Sequence, residues 1–242
     1  MKFTVRFVMC ALVVVTVLAV ALPQQALAAE GQDNTFSIVG RCAKTGDFAV
    51  IVSTARLGVG NRVPWAAAGV GAIATQATTN TELGRDGLQI LASGATAQEA
   101  LDKVIAADEG RDARQLLIID AKGNTAVYTG KDIMEKSPWA GSLKGKDCVA
   151  AGNLLVSGET VKAMVKAFED TPGFIGNRIM KALEAGQAAG GDKRGKISAA
   201  MIVVRQGQKH PLLDLRIDSS DNPVADLRKL YDAYLPAFNI NQ

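Results

Sequence analysis

The run Thr35-Phe36-Ser37-Ile38-Val39-Gly40 is rich in strand-forming residues. It is followed by the turn Lys44-Thr45-Gly46-Asp47 and a second such run, Phe48-Ala49-Val50-Ile51-Val52-Ser53. Two runs of this kind around a glycine-containing turn read as a hairpin. Both are apolar almost throughout, so both faces of their sheet need cover. Further along, 54–64 reads as a glycine-containing loop, and 69–76 as a strand of small residues that lets another layer approach closely. Residues 80–93 read as a helix interrupted by glycine. Thr96-Ala97-Gln98-Glu99 is a capping box opening a second helix. Residues 115–120 and 125–129 form another hairpin around Lys122-Gly123-Asn124. The stretch 139–146 is expected to be a loop and 147–153 a strand. Helices follow at 159–169 and 174–187, then strands at 198–204 and 212–217. Asn222-Pro223 starts a last helix, with Asn as N-cap and Pro in the first helical position. Hairpins alternating with paired helices predict an α+β fold. The expectation is a four-layer αββα sandwich of two mainly antiparallel sheets with helices outside.

The chain has 242 residues, with 27 Lys+Arg, 24 Asp+Glu and one His. Its first 28 residues have the layout of a secretory signal peptide: Lys2 and Arg6, an apolar run over 7–22, and Ala26-Leu27-Ala28. The apolar run is short for a membrane span. The expectation is therefore a periplasmic or secreted protein with no stable membrane insertion once 1–28 is removed. Residues 29–34 would form a short leader, and 35–242 a single domain. Loss of Lys2 and Arg6 leaves the charges nearly balanced, which argues against a nucleic-acid partner. A hydrophobic content of 48% against 21% charged argues against disorder. A homo-oligomer is compatible with the composition.

The rare residues narrow the chemistry. His210 is the only histidine, and neither Cys42 nor Cys148 lies in a Cys-x-x-Cys pair, so no metal or cofactor is expected. The two cysteines of an exported chain either form one disulfide or remain separate buried thiols. A hydrolase built from this sequence would not use histidine as its base. Gly69-Val70-Gly71-Ala72-Ile73-Ala74 fits G-x-G-x-x-A, but its glycines open a strand instead of joining a strand to a helix, so dinucleotide binding is not expected. Gly190-Gly191-Asp192-Lys193-Arg194-Gly195 reads either as an anion-binding turn or, as composition favours, a connector with solvated charges. Asp214-Leu215-Arg216 places Asp and Arg on one strand face, a surface pair worth roughly 0–1 kcal/mol. Trp65 and Trp139, each following a proline, either line a pocket or close the end of a core. Thr35 stands apart: at a free N-terminus, a threonine carries both a nucleophilic hydroxyl and, in its own α-amine, a base suited to neutral pH.

Several stretches appear in the order in which they stand in a bacterial family catalogued as domain of unknown function 1028. They are Thr35-Phe36-Ser37-Ile38-Val39, Val59-Gly60 with Val63-Pro64, Gly69 to Gln76, Arg114-Gln115, Trp139-Ala140-Gly141 and Gly152-Asn153-Leu154. Gly190-Gly191-Asp192, Arg194-Gly195, Ser198-Ala199-Ala200 and Asp214-Leu215-Arg216 complete the set. The chain resembles that family along nearly its whole length after the signal. It departs from the family pattern at Ala113, Ile197 and Ser219-Ser220. The family is placed in the N-terminal-nucleophile hydrolase superfamily, so the resemblance implies the αββα sandwich of those enzymes and Thr35 as nucleophile. It implies Arg56 as a ligand for a substrate carboxylate. Gln76 and Asn153 would donate to an oxyanion. Asp192 and Arg194 would orient the α-amine or bind substrate. The implied function is hydrolysis of a small-molecule or peptide amide after leader removal. The readings from other classes are a non-catalytic periplasmic ligand-binding protein on the same scaffold and a structural assembly protein.

Overall fold

The computed structural model describes Met1 and residues 35–192 and 194–240. The expected signal peptide and leader, and Lys193, lie outside the described residues. Strands β1 (Thr35–Arg41) and β2 (Phe48–Thr54) form the expected hairpin, in register from Thr35↔Thr54 to Arg41↔Phe48. Then come β3 (Pro64–Ala67), β4 (Gly71–Ala77), α1 (Glu82–Ala92), α2 (Ala97–Ala107), β5 (Arg114–Asp120), β6 (Thr125–Thr129) and the short α3 (Lys131–Lys136). The remainder is β7 (Gly141–Gly145), β8 (Cys148–Asn153), α4 (Glu159–Asp170), α5 (Ile175–Ala188), β9 (Ser198–Val204), β10 (Leu213–Ile217) and α6 (Pro223–Ala237). One sheet has the order β10-β9-β2-β1-β8-β7, the other β3-β4-β5-β6, and every pairing between named strands is antiparallel.

Three apolar cores separate four layers, as the pattern of hairpins and helix pairs predicts. Alternation along each strand decides which core a residue joins. Phe36 and Ile38 of β1, Ile51 of β2, Ala150 of β8 and Met201 of β9 pack against α4, α5 and α6. Val39, Val50, Val52, Val149, Ala151 and Ala200, one residue out of phase, meet Ala72, Ala74, Leu117 and Ile119 of the smaller sheet. Ile73, Leu116 and Ile118 then face α1 and α2. The α2 capping box is present: Thr96 Oγ1 accepts Glu99 N–H at 3.2 Å, and Thr96 N–H donates to Glu99 Oε2 at 2.8 Å. Among the described residues no helix is long and apolar enough to cross a membrane.

α4 approaches β1 tightly at Gly40, where a Cβ would lie 2.6 Å from Cζ of the fully buried Phe168 ring. Gly40→Ala is expected to destabilise the fold by about 1–3 kcal/mol through overpacking. Urea unfolding of the purified variant measures it, and a midpoint equal to that of the parent would contradict this packing.

The structure corrects some expectations and bears on others that the sequence left open. The stretch 139–146 is not a loop throughout: Gly141–Gly145 is an edge strand paired with β8 from Gly141↔Gly152 to Gly145↔Cys148. Its middle residues are exposed, so ladder hydrogen bonds order it and no apolar pattern announces it. The short β3 and α3 are additional for a similar reason, α3 burying only Ile133. Asn222 precedes α6 with Pro223 at the helix start, but its side chain makes no cap and accepts from Lys196 Nζ at 2.6 Å. Both tryptophans are packed: Trp65 and Trp139 border the α1/α2 and α4/α5 cores. Cys42 and Cys148 are both free thiols. Burial pushes the Cys148 thiol up to about 12. At Cys42 burial acts in the same direction, but hydrogen bonds at Thr45 and Lys44 and the charge of Arg178 outweigh it and lower the thiol.

Candidate active site

The strand alternation that builds the middle core changes chemistry at one end of the sandwich. Continuing the phase of Val39, Val52, Ala151, Ala200, Ala74 and Leu117 to the strand ends gives Thr35 and Ser37 on β1 and Thr54 on β2. On the other strands it gives Asn153 on β8, Ser198 on β9, Gln76 on β4 and Gln115 on β5. All seven are buried, at 0–2% exposure. Register gathers them: Thr35 pairs with Thr54 on one side and Asn153 on the other, Thr54 pairs with Ser198, and Gln76 pairs with Gln115. A polar layer thus closes the seam between two apolar sheets, and buried polar groups must find partners there.

They do. Thr35 N–H donates to Asn153 Oδ1 at 3.2 Å, and the Thr35 hydroxyl lies 3.2 Å from that of Thr54. Asn153 Nδ2 donates to Gln115 Oε1 at 2.8 Å. Gln76 Nε2 donates to the same oxygen at 2.7 Å, and Gln76 Oε1 accepts the Ser37 hydroxyl at 2.6 Å. Gln115 Nε2 donates to Thr129 Oγ1 at 3.0 Å and to the carbonyl of Gly152 at 3.1 Å. Asn153 therefore faces Thr35 as an acceptor, with Nδ2 turned to Gln115.

The backbone is bent sharply just past two of these residues. Ala77 and Leu154, directly after Gln76 and Asn153, have φ of 71° and 52°. Non-glycine residues in the left-handed region carry strain that surrounding structure must hold, and such strain gathers at functional sites. Here it falls at the ends of β4 and β8, directly after the side chains of Gln76 and Asn153 in the seam.

Asp192 lies beside the same strand ends. Its side chain is 1% exposed. Asp192 Oδ2 accepts Ala55 N–H at 3.2 Å, one residue beyond Thr54, and its backbone bridges Leu155, two beyond Asn153. Because β2 and β8 flank β1, Asp192 links the loops on both sides of Thr35. Arg194 closes on the same carboxylate, its Nη2 2.9 Å from Oδ2 and its backbone N–H 2.8 Å from Oδ1. The expectation of solvated charges in this turn is thus wrong for Asp192. Burial comes with a full set of donors, as a buried charge requires. Arg56, half-buried, is anchored on the β2 side through its carbonyl, which accepts the Ser198 hydroxyl at 2.6 Å. Leu57 and Val156, exposed on the two loops, add apolar surface.

The anticipated residues fall into three groups. Thr35 and Asn153 touch, and Gln76 joins them through Gln115. Asp192 and Arg194 form a second group tied to the same loops. Arg56 stands two residues past Thr54. Sequence reasoning assigned no role to Ser37, Thr54, Gln115 or Ser198. The signal was available: each is a polar residue in phase with an apolar strand face, towards the strand end nearest Thr35. His210 is exposed, away from any named contact. Among the described residues no group of three or more His, Cys, Asp and Glu is placed to hold a metal ion. Asp214 and Arg216 pair at 2.9 Å with both side chains 40% exposed, as the strand pattern predicts.

Next to Gln115, Arg114 fixes the entry into β5. Its Nε donates to Asp108 Oδ2 at 2.8 Å and its Nη1 to the carbonyl of Thr78 at 2.6 Å. The Arg114 hydrogen bond holds the Asp108 carboxyl below the usual carboxylate range, against the opposing effect of burial. A carboxylate lowered in the folded state adds stability that is present above its unfolded value and lost as pH falls through its folded value. Asp108→Asn is expected to make unfolding less pH-dependent between about pH 5 and pH 2. Urea midpoints across that range measure it, and an unchanged slope would contradict the assignment.

No curated protein matches the chain significantly. Among solved structures, Anbu, the ancestral beta-subunit, from Yersinia bercovieri has a TM-score of 0.39 at 11% identity, covering 86% of this chain and 97% of that one. A protein from Silicibacter pomeroyi, itself assigned to DUF1028, has a TM-score of 0.77 at 34% identity, covering 84% of this chain and 86% of that one. Residues 35–227 match the same family, and the chain accordingly belongs to the family of unknown function DUF1028.

Proposed function

We propose that this chain is an exported amide hydrolase of the N-terminal-nucleophile type, with Thr35 as its first residue when active. The observation that carries the reading is the position of Thr35. It opens the central strand, is buried, places its hydroxyl against Thr54 and its nitrogen against Asn153, and has Asp192 linking the loops on either side. The family match also begins at Thr35.

In this mechanism Thr35 Oγ1 attacks the substrate carbonyl and its proton passes to the α-amine. The amine then delivers that proton to the leaving nitrogen, and the C–N bond breaks. The acyl group is left as an ester on Oγ1, which water cleaves with the amine again accepting a proton. Asn153 Oδ1 holds the amine, and the guanidinium of Arg56 suits a carboxylate on the substrate. Gln76 Nε2 and Asn153 Nδ2 each give one hydrogen to Gln115 Oε1 and keep a second, and either is a candidate donor to the oxyanion. Leu57 and Val156 would receive an apolar portion of a small-molecule or peptide amide. Leader removal can use the same hydroxyl: Oγ1 attacks the Asn34 carbonyl, the acyl chain shifts from nitrogen to oxygen, and water releases it. Export is inferred from the sequence of residues 1–28.

The test uses the full chain with a protease site engineered before Thr35. Folded protein is assayed on N-acyl and peptide amides before and after cutting. Hydrolysis is expected only after the cut. Equal hydrolysis before and after, with the peptide bond before Thr35 shown by mass spectrometry to be intact in the uncut sample, would reject the α-amine as base. Binding of an amide without hydrolysis after the cut would favour a ligand-binding protein instead.

A further inference from the structure

Gln115 belongs to a motif shared with the family, yet the mechanism above gives it no task. It is fully buried, and every hydrogen-bonding atom of its side-chain amide is used. The network around it has a direction. At one end the Gly152 carbonyl can only accept, which places Gln115 Nε2 there and turns Oε1 the other way. Oε1 can only accept, so Asn153 must present Nδ2 to it and Oδ1 to Thr35. The same oxygen takes Gln76 Nε2, which leaves Gln76 Oε1 for the Ser37 hydroxyl. At the Thr35 end the backbone N–H, while it is part of a peptide bond, can only donate and enforces the same direction.

Freeing Thr35 changes that end. A neutral α-amine both donates and accepts, so it no longer dictates which edge of the Asn153 amide it meets. We propose that Gln115 is the positioning residue of this site: anchored on Gly152, it keeps Asn153 Oδ1 facing the α-amine once the peptide bond before Thr35 is gone. The proposal rests on the N-terminal-nucleophile reading. An acceptor beside the amine favours its protonated form and offsets the burial that disfavours it, which holds the base near neutral pH. A flipped Asn153 would donate into the lone pair, favour the neutral amine and oppose its work as a base.

The experiment needs no substrate. Thr35 is uncovered by cutting folded, isotope-labelled full chain at the engineered site, and two signals are followed by NMR against pH: the Thr35 α-amine and the Asn153 side-chain amide. Gln115→Met removes the acceptor for Asn153 Nδ2. It is expected to lower the proton affinity of the amine about tenfold and to move the Asn153 amide signals. Gln115→Glu is expected to keep the parental signals at about pH 6, where its buried carboxyl is protonated and can donate to Gly152. Ionised, that carboxyl still accepts Asn153 Nδ2 but can no longer donate to the Gly152 carbonyl. A Gln115→Met protein whose amine and Asn153 signals match the parent would overturn the proposal. Should that variant not fold, Gln115→Glu signals that depart from the parental ones at about pH 6 would overturn it instead. Lack of amide hydrolysis by the parent would count against the proposed function and would not alter these signals.

Discussion

Thr35→Ala is expected to lower amide turnover at least about 10³-fold, the scale seen when a hydrolase loses its nucleophile. The fold should barely register the change. The lost side-chain contact is the hydroxyl at 3.2 Å from Thr54, worth about 1 kcal/mol. Thr35→Ser keeps the hydroxyl and is expected to retain part of the activity. If leader removal is self-catalysed, the alanine protein should also keep its leader and the serine protein should shed it slowly. Turnover of all three proteins, each with a urea unfolding curve, measures this. An alanine protein with parental turnover would remove Thr35 from the chemistry.

Asp192→Ala should produce the largest loss of stability among changes near the site. The carboxylate is 1% exposed and receives two backbone N–H groups, from Ala55 and Arg194, together with the Arg194 guanidinium. Removing one partner of a buried pair typically costs 3–5 kcal/mol. Arg194 remains 26% exposed and can turn to water, so about 3 kcal/mol is expected. Asp192→Asn keeps an acceptor of similar shape and should cost less. Urea unfolding decides, and a loss under about 1 kcal/mol would show that Asp192 does not clasp the loops on either side of Thr35.

The layered fold was legible because its evidence is repeated. The hairpin at 35–53, the capping box at Thr96 and the paired helices each recur as structure, and fully apolar strands such as Val50 to Val52 admit no sheet face open to water. What escaped were elements without a buried face of their own. Gly141–Gly145 exposes Ser142, Leu143 and Lys144, so only its ladder to β8 makes it a strand. The site was legible in part. Thr35 and Asn153 were expected, and they are in contact. The direction of that contact was not foreseeable, because an amide looks the same in sequence whichever edge it presents. It follows from the Gly152 carbonyl, 37 residues along the chain from Gln115. In sequence Asp192 is one of several charges on a glycine turn, to which the family resemblance adds a role at the α-amine or substrate; only the tertiary contacts to Ala55 and Leu155 show it to be buried.

The N-terminal sequence of the mature protein, taken from its native host, tests the central claim most directly. The account predicts that the exported, hydrolytically active species begins Thr35-Phe36-Ser37, with a free α-amine on Thr35. An active species that begins at Ala29, with Asn34 still joined to Thr35 by a peptide bond, would contradict it.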